Sequence, residues 1–161
     1  LRVWRQRPHC SRLIDMTISV KSFNEFTTEE LYEVLQLRSE IFVVEQNCVY
    51  QDIDLKDQKA IHVLGYFQNE LVAYTRIFKP GDYFQQASIG RVLVKESYRS
   101  RKWGYDIMEA SIKAIEQRFL ATSIKISAQQ YLEKFYNNMG FLTVGEPYLE
   151  DGIPHVAMIR N

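Results

Sequence analysis

The residues with the clearest chemical potential lie between Ile89 and Met108. An apolar run, IGRVLV, passes into the basic, acid-poor turn KESYRSRKW and then into GYDIM, which opens an amphipathic helix. A strand that turns into a helix N-terminus brings unpaired N–H groups and about half a positive charge of macrodipole to one point. Arg99, Arg101 and Lys102 add full charges at that point. The chemistry this suits is phosphate binding. A basic turn met in isolation is more often a solvated surface feature, so the rest of the chain has to separate the two readings.

A second set of polar groups lies in residues 42–59, FVVEQNCVYQDIDLKDQK, a stretch without a clear period. It carries Glu45, Asp52, Asp54 and Asp57, with Cys48 and Tyr50 among them. Long irregular segments inside compact domains are commonly functional. Together these carboxylates could select a cationic or amine substrate, although each one alone is an ordinary loop carboxylate. Cys10 and Cys48 have neither metal-ligand spacing nor a disulfide framework, so no metal and a reducing cytoplasmic setting are expected. His62 sits inside an apolar strand, where a structural role is expected.

The elements that must position these groups follow from periodicity. Thr17 to Phe23 alternates as a half-buried strand. Thr27 and Glu30 have capping-box spacing, and Leu31, Val34, Leu35, Arg38 and Phe42 share one face, predicting a helix over 28–41. Residues 60–67 and 71–79 read as two strands joined by a tight turn at Gln68-Asn69-Glu70, and 87–94 as a third strand. Ile107, Met108, Ser111, Ile112, Ile115 and Phe119 form the buried stripe of the next helix, which ends near Leu120. Ile124 and Ile126 mark a strand that must return parallel to the strand before the helix. A short helix over 131–139 ends at Gly140, and strands over 141–150 and 155–160 close the chain around a turn at Asp151-Gly152-Ile153-Pro154. The order is that of an α/β domain on one mixed sheet.

Composition narrows the class. Of the 161 residues, 46% are hydrophobic and 25% charged, as in an ordinary globular domain, and the 13% aromatic share argues against disorder. Formal net charge is zero, which gives no overall attraction to nucleic acid or acidic membranes, and no apolar run is long enough to span a bilayer. Residues 1–15 stand apart, with Arg2, Arg5, Arg7 and Arg12 against one acid, Asp15. Without them the basic count falls from 20 to 16 and the acidic count from 20 to 19. They read as a leader or an appended extension, with Met16 as the natural start of a domain over 16–161. A nucleic-acid-binding reading would rest on that arm alone.

Four local features, in order, carry a family resemblance. They are the strand ending Val92-Leu93-Val94, the turn Arg99-Ser100-Arg101-Lys102-Trp103-Gly104, the strand Ile124-Lys125-Ile126-Ser127-Ala128, and the segment Phe135-Tyr136-Asn137-Asn138-Met139-Gly140-Phe141. The chain resembles the GNAT superfamily of acyl-CoA N-acyltransferases, the turn being similar to its Q/R-x-x-G-x-G/A pyrophosphate loop and the last segment to its FYxxxGF end. The runs FVVEQ, IGRV and EDGIPH resemble the ElaA-like branch. Two departures stand out: Lys102 replaces the first loop glycine, and Gln129 stands where the family often has Asn.

The resemblance implies a single domain with a mixed, mostly antiparallel sheet flanked by helices. It also implies a splayed parallel pair, residues 87–94 and 122–128, that holds acetyl-CoA. The pantetheine arm would bond to the main chain around Val92, Leu93 and Val94. The pyrophosphate would sit on amides from about Arg101 to Tyr105, with Arg99, Ser100, Arg101, Lys102, Trp103, Gly104 and Gln129 around the cofactor. Tyr136 would protonate the departing thiolate. Glu45 and His155 are candidates for the base, and Arg91 and Tyr50 for substrate contacts. Cys48 could carry an acetyl group, although direct transfer needs none. The implied reaction moves acetyl to a small-molecule or peptide amine, with no nucleic acid or membrane partner. A homodimer is compatible with the resemblance. A non-catalytic CoA sensor or interaction module on the same fold is the alternative.

Overall fold

The computed structural model describes residues 15–161, so the basic arm lies outside the described residues except for Asp15. Seven strands form one sheet: β1 (Thr17–Ser22), β2 (Ile61–Phe67), β3 (Glu70–Phe78), β4 (Ala87–Val94), β5 (Ile124–Gln129), β6 (Leu142–Glu150) and β7 (Ile153–Arg160). Their order is β1-β2-β3-β4-β5-β7-β6, and every neighbouring pair is antiparallel except β4 and β5. The mixed, mostly antiparallel sheet expected from the sequence is therefore present.

Helices cover both faces. The first, α1 (Thr28–Arg38), starts at the expected capping box: Thr27 Oγ1 accepts from the Glu30 amide at 3.1 Å, and Glu30 Oε2 accepts from the Thr27 amide at 2.9 Å. It buries Val34 and Leu37 against Leu64, Tyr74 and Leu93. The longer α2 (Trp103–Phe119) buries Ile107, Met108, Ile112 and Ile115 on the opposite face, against Val63, Ala73, Ile77 and Ile89. Each such side chain contributes about 1.5–3 kcal/mol relative to exposure. Between α2 and β3, Ser111 donates to the Ile107 carbonyl at 2.7 Å and so accepts from Thr75, which satisfies both buried hydroxyls.

Several boundaries differ from expectation. The predicted helix over 28–41 ends as an α-helix at Arg38 and continues over Ser39–Glu45 in wider turns, with the Gln46 amide bonding the Ile41 carbonyl and the Cys48 amide the Val43 carbonyl. Val43 and Val44 are β-branched and crowd a tight helical turn. The helix predicted over 131–139 is a 3₁₀ turn at Gln130–Leu132 followed by α3 (Glu133–Asn137). Ile153 and Pro154 belong to β7 rather than to a four-residue turn. Asp151 and Gly152 alone make the reversal, with φ of 50° and 77°, as a two-residue hairpin requires.

Strand β4 is irregular where the chemistry was expected. Gly90 pairs with Arg76 and Leu93 with Tyr74, so three steps along β4 match two along β3. The extra residue is a bulge at Arg91, whose φ is 51°.

Candidate active site

Strands β4 and β5 pair only at Ala87 with Ile124 and Ser88 with Lys125. From Ile89 onward, β4 has no strand partner on its β5 side, and the two strands border a cavity of about 590 Å³. Its lining includes Val92, Leu93 and Val94 from β4, Lys102, Gly104 and Tyr105 at the start of α2, Gln129 at the end of β5, and Tyr136 from α3. Glu45, Tyr50, Arg91, Arg99 and His155 also line it.

The turn into α2 is built by Lys102. Its φ of 61° and ψ of 21° lie in the left-handed region, which explains why glycine suits this loop position. No side chain caps α2, and the Tyr105 amide bonds the Lys102 carbonyl at 3.1 Å, so the donors left at its start are those of the residues just before Tyr105. Gly104 lets this turn approach α3: a Cβ there would lie 3.2 and 3.3 Å from Phe135 ring atoms.

The side chains of the loop divide. The Arg101 guanidinium lies over the rings of Phe67, Tyr98 and Trp103 at 4.8, 5.3 and 5.1 Å. Trp103 is buried in the same cluster and Ser100 is exposed, and none of the three is a lining residue of the cavity. Aromatic packing thus engages the Arg101 and Trp103 side chains. Arg99 lines the cavity but bonds Glu45 through both terminal nitrogens, at 2.5 and 3.0 Å, and the Val94 carbonyl through Nε at 2.9 Å.

The acidic segment is the largest correction. Asp52, Asp54 and Asp57 do not form an open amine-selecting surface, because three arginines neutralise them. Asp52 holds Arg38 at 2.9 Å with one oxygen and Arg91 at 2.6 Å with the other. Asp57 Oδ1 accepts from Arg38 at 2.8 Å and from Arg76 at 2.9 Å. Arg76 also pairs with Asp54. Burial alone would raise the Asp57 pKa, but the two guanidiniums outweigh it and hold the carboxyl below the usual carboxylate range. Arg91 and Tyr50 line the cavity within this network: Arg91 is bonded through Nε and Nη2 to the Asp52 carboxylate and carbonyl, and Tyr50 donates to Asp52 Oδ1 at 3.0 Å. Burial pushes the Tyr50 pKa up. His62 is structural as expected: it is buried, donates to the Asp57 carbonyl and accepts from the Tyr74 hydroxyl.

Tyr136 and His155 are placed differently. Tyr136 is 6% exposed and borders the cavity, with its ring edge-on to Phe135 and Phe141. Its carbonyl accepts from the amides of Met139 and Phe141, and Gly140, at φ 86°, allows that turn. Burial pushes the phenol pKa up, so the hydroxyl stays protonated through neutral pH. His155 donates from Nδ1 to the Ile153 carbonyl at 2.7 Å, which leaves Nε2 as the unprotonated nitrogen of the neutral ring. Gln129 donates to Gln46 at 3.0 Å, and the Cys48 thiol lies 3.4 Å from the Asp151 carbonyl.

Residues missed from the sequence also line this cavity: Phe78, Tyr83 and Phe84 around the end of β3, and Ser127 and Glu150 on β5 and β6. No period links them; only the register of β5, β7 and β6 brings Ser127 to Glu150. Among the described residues no cluster of potential metal ligands occurs, and no helix is long and apolar enough to cross a membrane.

Comparison with known proteins agrees with this geometry. The model of the acetyltransferase (GNAT) domain matches residues 22–161. Protein ElaA of Escherichia coli strain K12 is 43% identical over 140 residues, covering 86% of this chain and 92% of ElaA. The crystal structure of E. coli ElaA has a TM-score of 0.85 at 40% identity and covers 91% of this chain and 99% of that one. An acyl-CoA N-acyltransferase from Pseudomonas aeruginosa has a TM-score of 0.84 at 39% identity, covering 90% and 99%.

Proposed function

The chain belongs to the GNAT acetyltransferase family, and from that membership we propose that it moves the acetyl group of acetyl-CoA directly onto a primary amine. The observation that carries this reading is the release of β4 from β5 after Ser88, with Tyr136 buried on the cavity so formed. The residues present fit a CoA thioester. The free edge of β4 offers amides and carbonyls to an extended amide arm, as an added strand would. The uncapped start of α2, with Lys102 beside it, suits a pyrophosphate.

The bound thioester supplies an activated acyl carbon and a thiolate leaving group. The protein's own groups handle the protons. His155 Nε2 accepts a proton from the incoming ammonium, since Nδ1–H is committed to Ile153. The Tyr136 hydroxyl holds a proton for the departing sulfur, and burial keeps that proton in place. Amides of β4 near Val92 and Val94 can accept the charge that develops on the carbonyl oxygen. Glu45 is less suited to act as the base, because Arg99 occupies both its oxygens.

The test is release of free CoA thiol from acetyl-CoA in the presence of a pool of amines, read alongside acetyl-CoA binding. Amine-dependent thiol release supports the reading. Binding without release under any amine would overturn it in favour of a CoA-binding sensor.

A further inference from the structure

The charges lining the cavity are uneven once their ion pairs are assigned. Arg76 and Arg91 are met by Asp52, Asp54 and Asp57, and Arg99 by Glu45. Among the described lining residues, Lys102 at the α2 end and Glu150 and Asp151 at the β6–β7 end are left without an ion-pair partner. A cavity with a cation at the pyrophosphate end and carboxylates at the other suits a phosphate-bearing donor and a cationic acceptor.

Glu150 is held in position. Its Oε2 accepts from Ser127 Oγ at 2.6 Å, and Ser127 Oγ lies 2.5 Å from the Tyr148 hydroxyl. The one serine proton goes to the carboxylate, so Tyr148 donates to Ser127. This relay fixes Oε2 and leaves Oε1 for a ligand. The Tyr148 ring stacks on His155 at 6.2 Å with 22° between planes, so one aromatic ring links the carboxylate's support to the proposed base. Lys125 Nζ lies over the Phe84 ring at 4.8 Å.

An aromatic wall borders the same cavity. Phe78 and Tyr83 are stacked at 5.2 Å, and Tyr83 meets Phe84 edge-on at 4.8 Å. Tyr83 remains 37% exposed, with Lys56 Nζ over its ring at 4.7 Å, whereas Phe78 is only 2% exposed with Arg76 over its ring at 5.2 Å and serves as backing. The cavity must also admit the thioester arm, and the space beside that arm suits a small amine.

We infer that the acceptor is a small arylalkyl amine, its ammonium on the Glu150 carboxylate and its ring against Phe84 and the exposed part of Tyr83. This rests on the N-acetyltransferase reading above. The ammonium gives one proton to His155, the nitrogen forms its bond to the acyl carbon as the carbon–sulfur bond breaks, and the sulfur leaves as a thiol. The step consumes an ammonium and a thioester and yields an amide, a thiol and one proton to solvent.

The experiment compares phenethylamine, butylamine, spermidine and glutamate by thiol release at saturating acetyl-CoA, in the wild type, Glu150→Gln and Phe84→Ala. Phenethylamine is expected to exceed each of the others by about tenfold in kcat/KM. Glu150→Gln, which can still accept from Ser127, should raise the phenethylamine KM by about tenfold while leaving kcat and the acetyl-CoA KM nearly unchanged. Phe84→Ala should narrow the preference for phenethylamine over butylamine, because it removes an aryl contact that butylamine does not make. Better turnover of spermidine or glutamate, or an unchanged phenethylamine KM in Glu150→Gln, overturns the inference and leaves acetyl transfer standing. Thiol release with none of these amines, nor with the wider amine pool, overturns both.

Discussion

Glu45 and Arg99 form a two-pronged ion pair across 54 residues of sequence, with Oε1 to Nη1 at 2.5 Å and Oε2 to Nη2 at 3.0 Å. Arg99 also reaches the Val94 carbonyl, so the pair ties the widened helical turns after α1 to the end of β4. The pair is partly exposed, which limits it to about 1 kcal/mol. Glu45→Gln should therefore change acetyl-CoA KM by no more than about fivefold and kcat by less. By contrast, His155→Gln should lower kcat/KM for the amine by about 100-fold. Steady-state kinetics of the two variants checks both values. The opposite ranking would make Glu45 the base.

Tyr136→Phe removes one hydroxyl and leaves the ring packed on Phe135 and Phe141. It should lower kcat by about 100-fold, the scale of a lost general acid, with acetyl-CoA affinity unchanged by calorimetry. Because burial raises the phenol pKa, the wild type should show no loss of kcat from tyrosine ionisation up to about pH 10. A decline in kcat at lower pH that disappears in Tyr136→Phe would contradict this assignment.

Lys102→Gly separates backbone from charge. A lysine held at φ 61° costs about 1–2 kcal/mol in the folded state. Glycine relieves that strain, but its freer unfolded chain offsets about 0.5–1 kcal/mol of the gain. Thermal stability should therefore hold or rise slightly. Loss of the cation should weaken CoA binding, most strongly at low ionic strength. A salt titration of CoA affinity in the two proteins reads this directly.

Asp57 sets a pH dependence of stability. Its folded pKa lies below the ordinary Asp value of 3.8. A depressed carboxyl contributes stability above its unfolded pKa and loses it as pH falls through the folded value. Denaturant melts should therefore show constant stability from Asp57 at neutral pH and a decline below about pH 4. Asp57→Asn should cost about 3–5 kcal/mol at neutral pH, since it leaves Arg38 and Arg76 less compensated in the interior, and should flatten the acid decline.

Most of the fold was legible because it rests on short-range signals. The stripe from Ile107 to Phe119, the Thr27–Glu30 cap and the Gln68-Asn69 turn each act over a few residues, and each appears as expected. The Asp52–Asp54–Asp57 network was not legible. Its partners Arg38, Arg76 and Arg91 come from three elements 14 to 39 residues away. In sequence the acids therefore read as an unpaired loop. The same limit applies to Ser127 and Glu150, which meet because β6 folds back across β7. The setting of Arg101 was only partly legible: Tyr98 and Trp103 are sequence neighbours, but Phe67, which completes the aromatic cluster, lies 34 residues away.

The bulge at Arg91 has a consequence for the parity of β4. Before it, the odd positions Ala87 and Ile89 face the α2 side of the sheet; after it, the even positions Val92 and Val94 do, and Leu93 packs toward α1. A regular strand would carry its odd residues on the α2 side to the end. The single inserted step exchanges the two faces midway, so one continuous segment serves first as sheet interior and then as a rail whose backbone a second chain-like molecule can read. Removing one residue there would leave the composition of IGRVLV almost intact and reverse which side chains stand over the cleft.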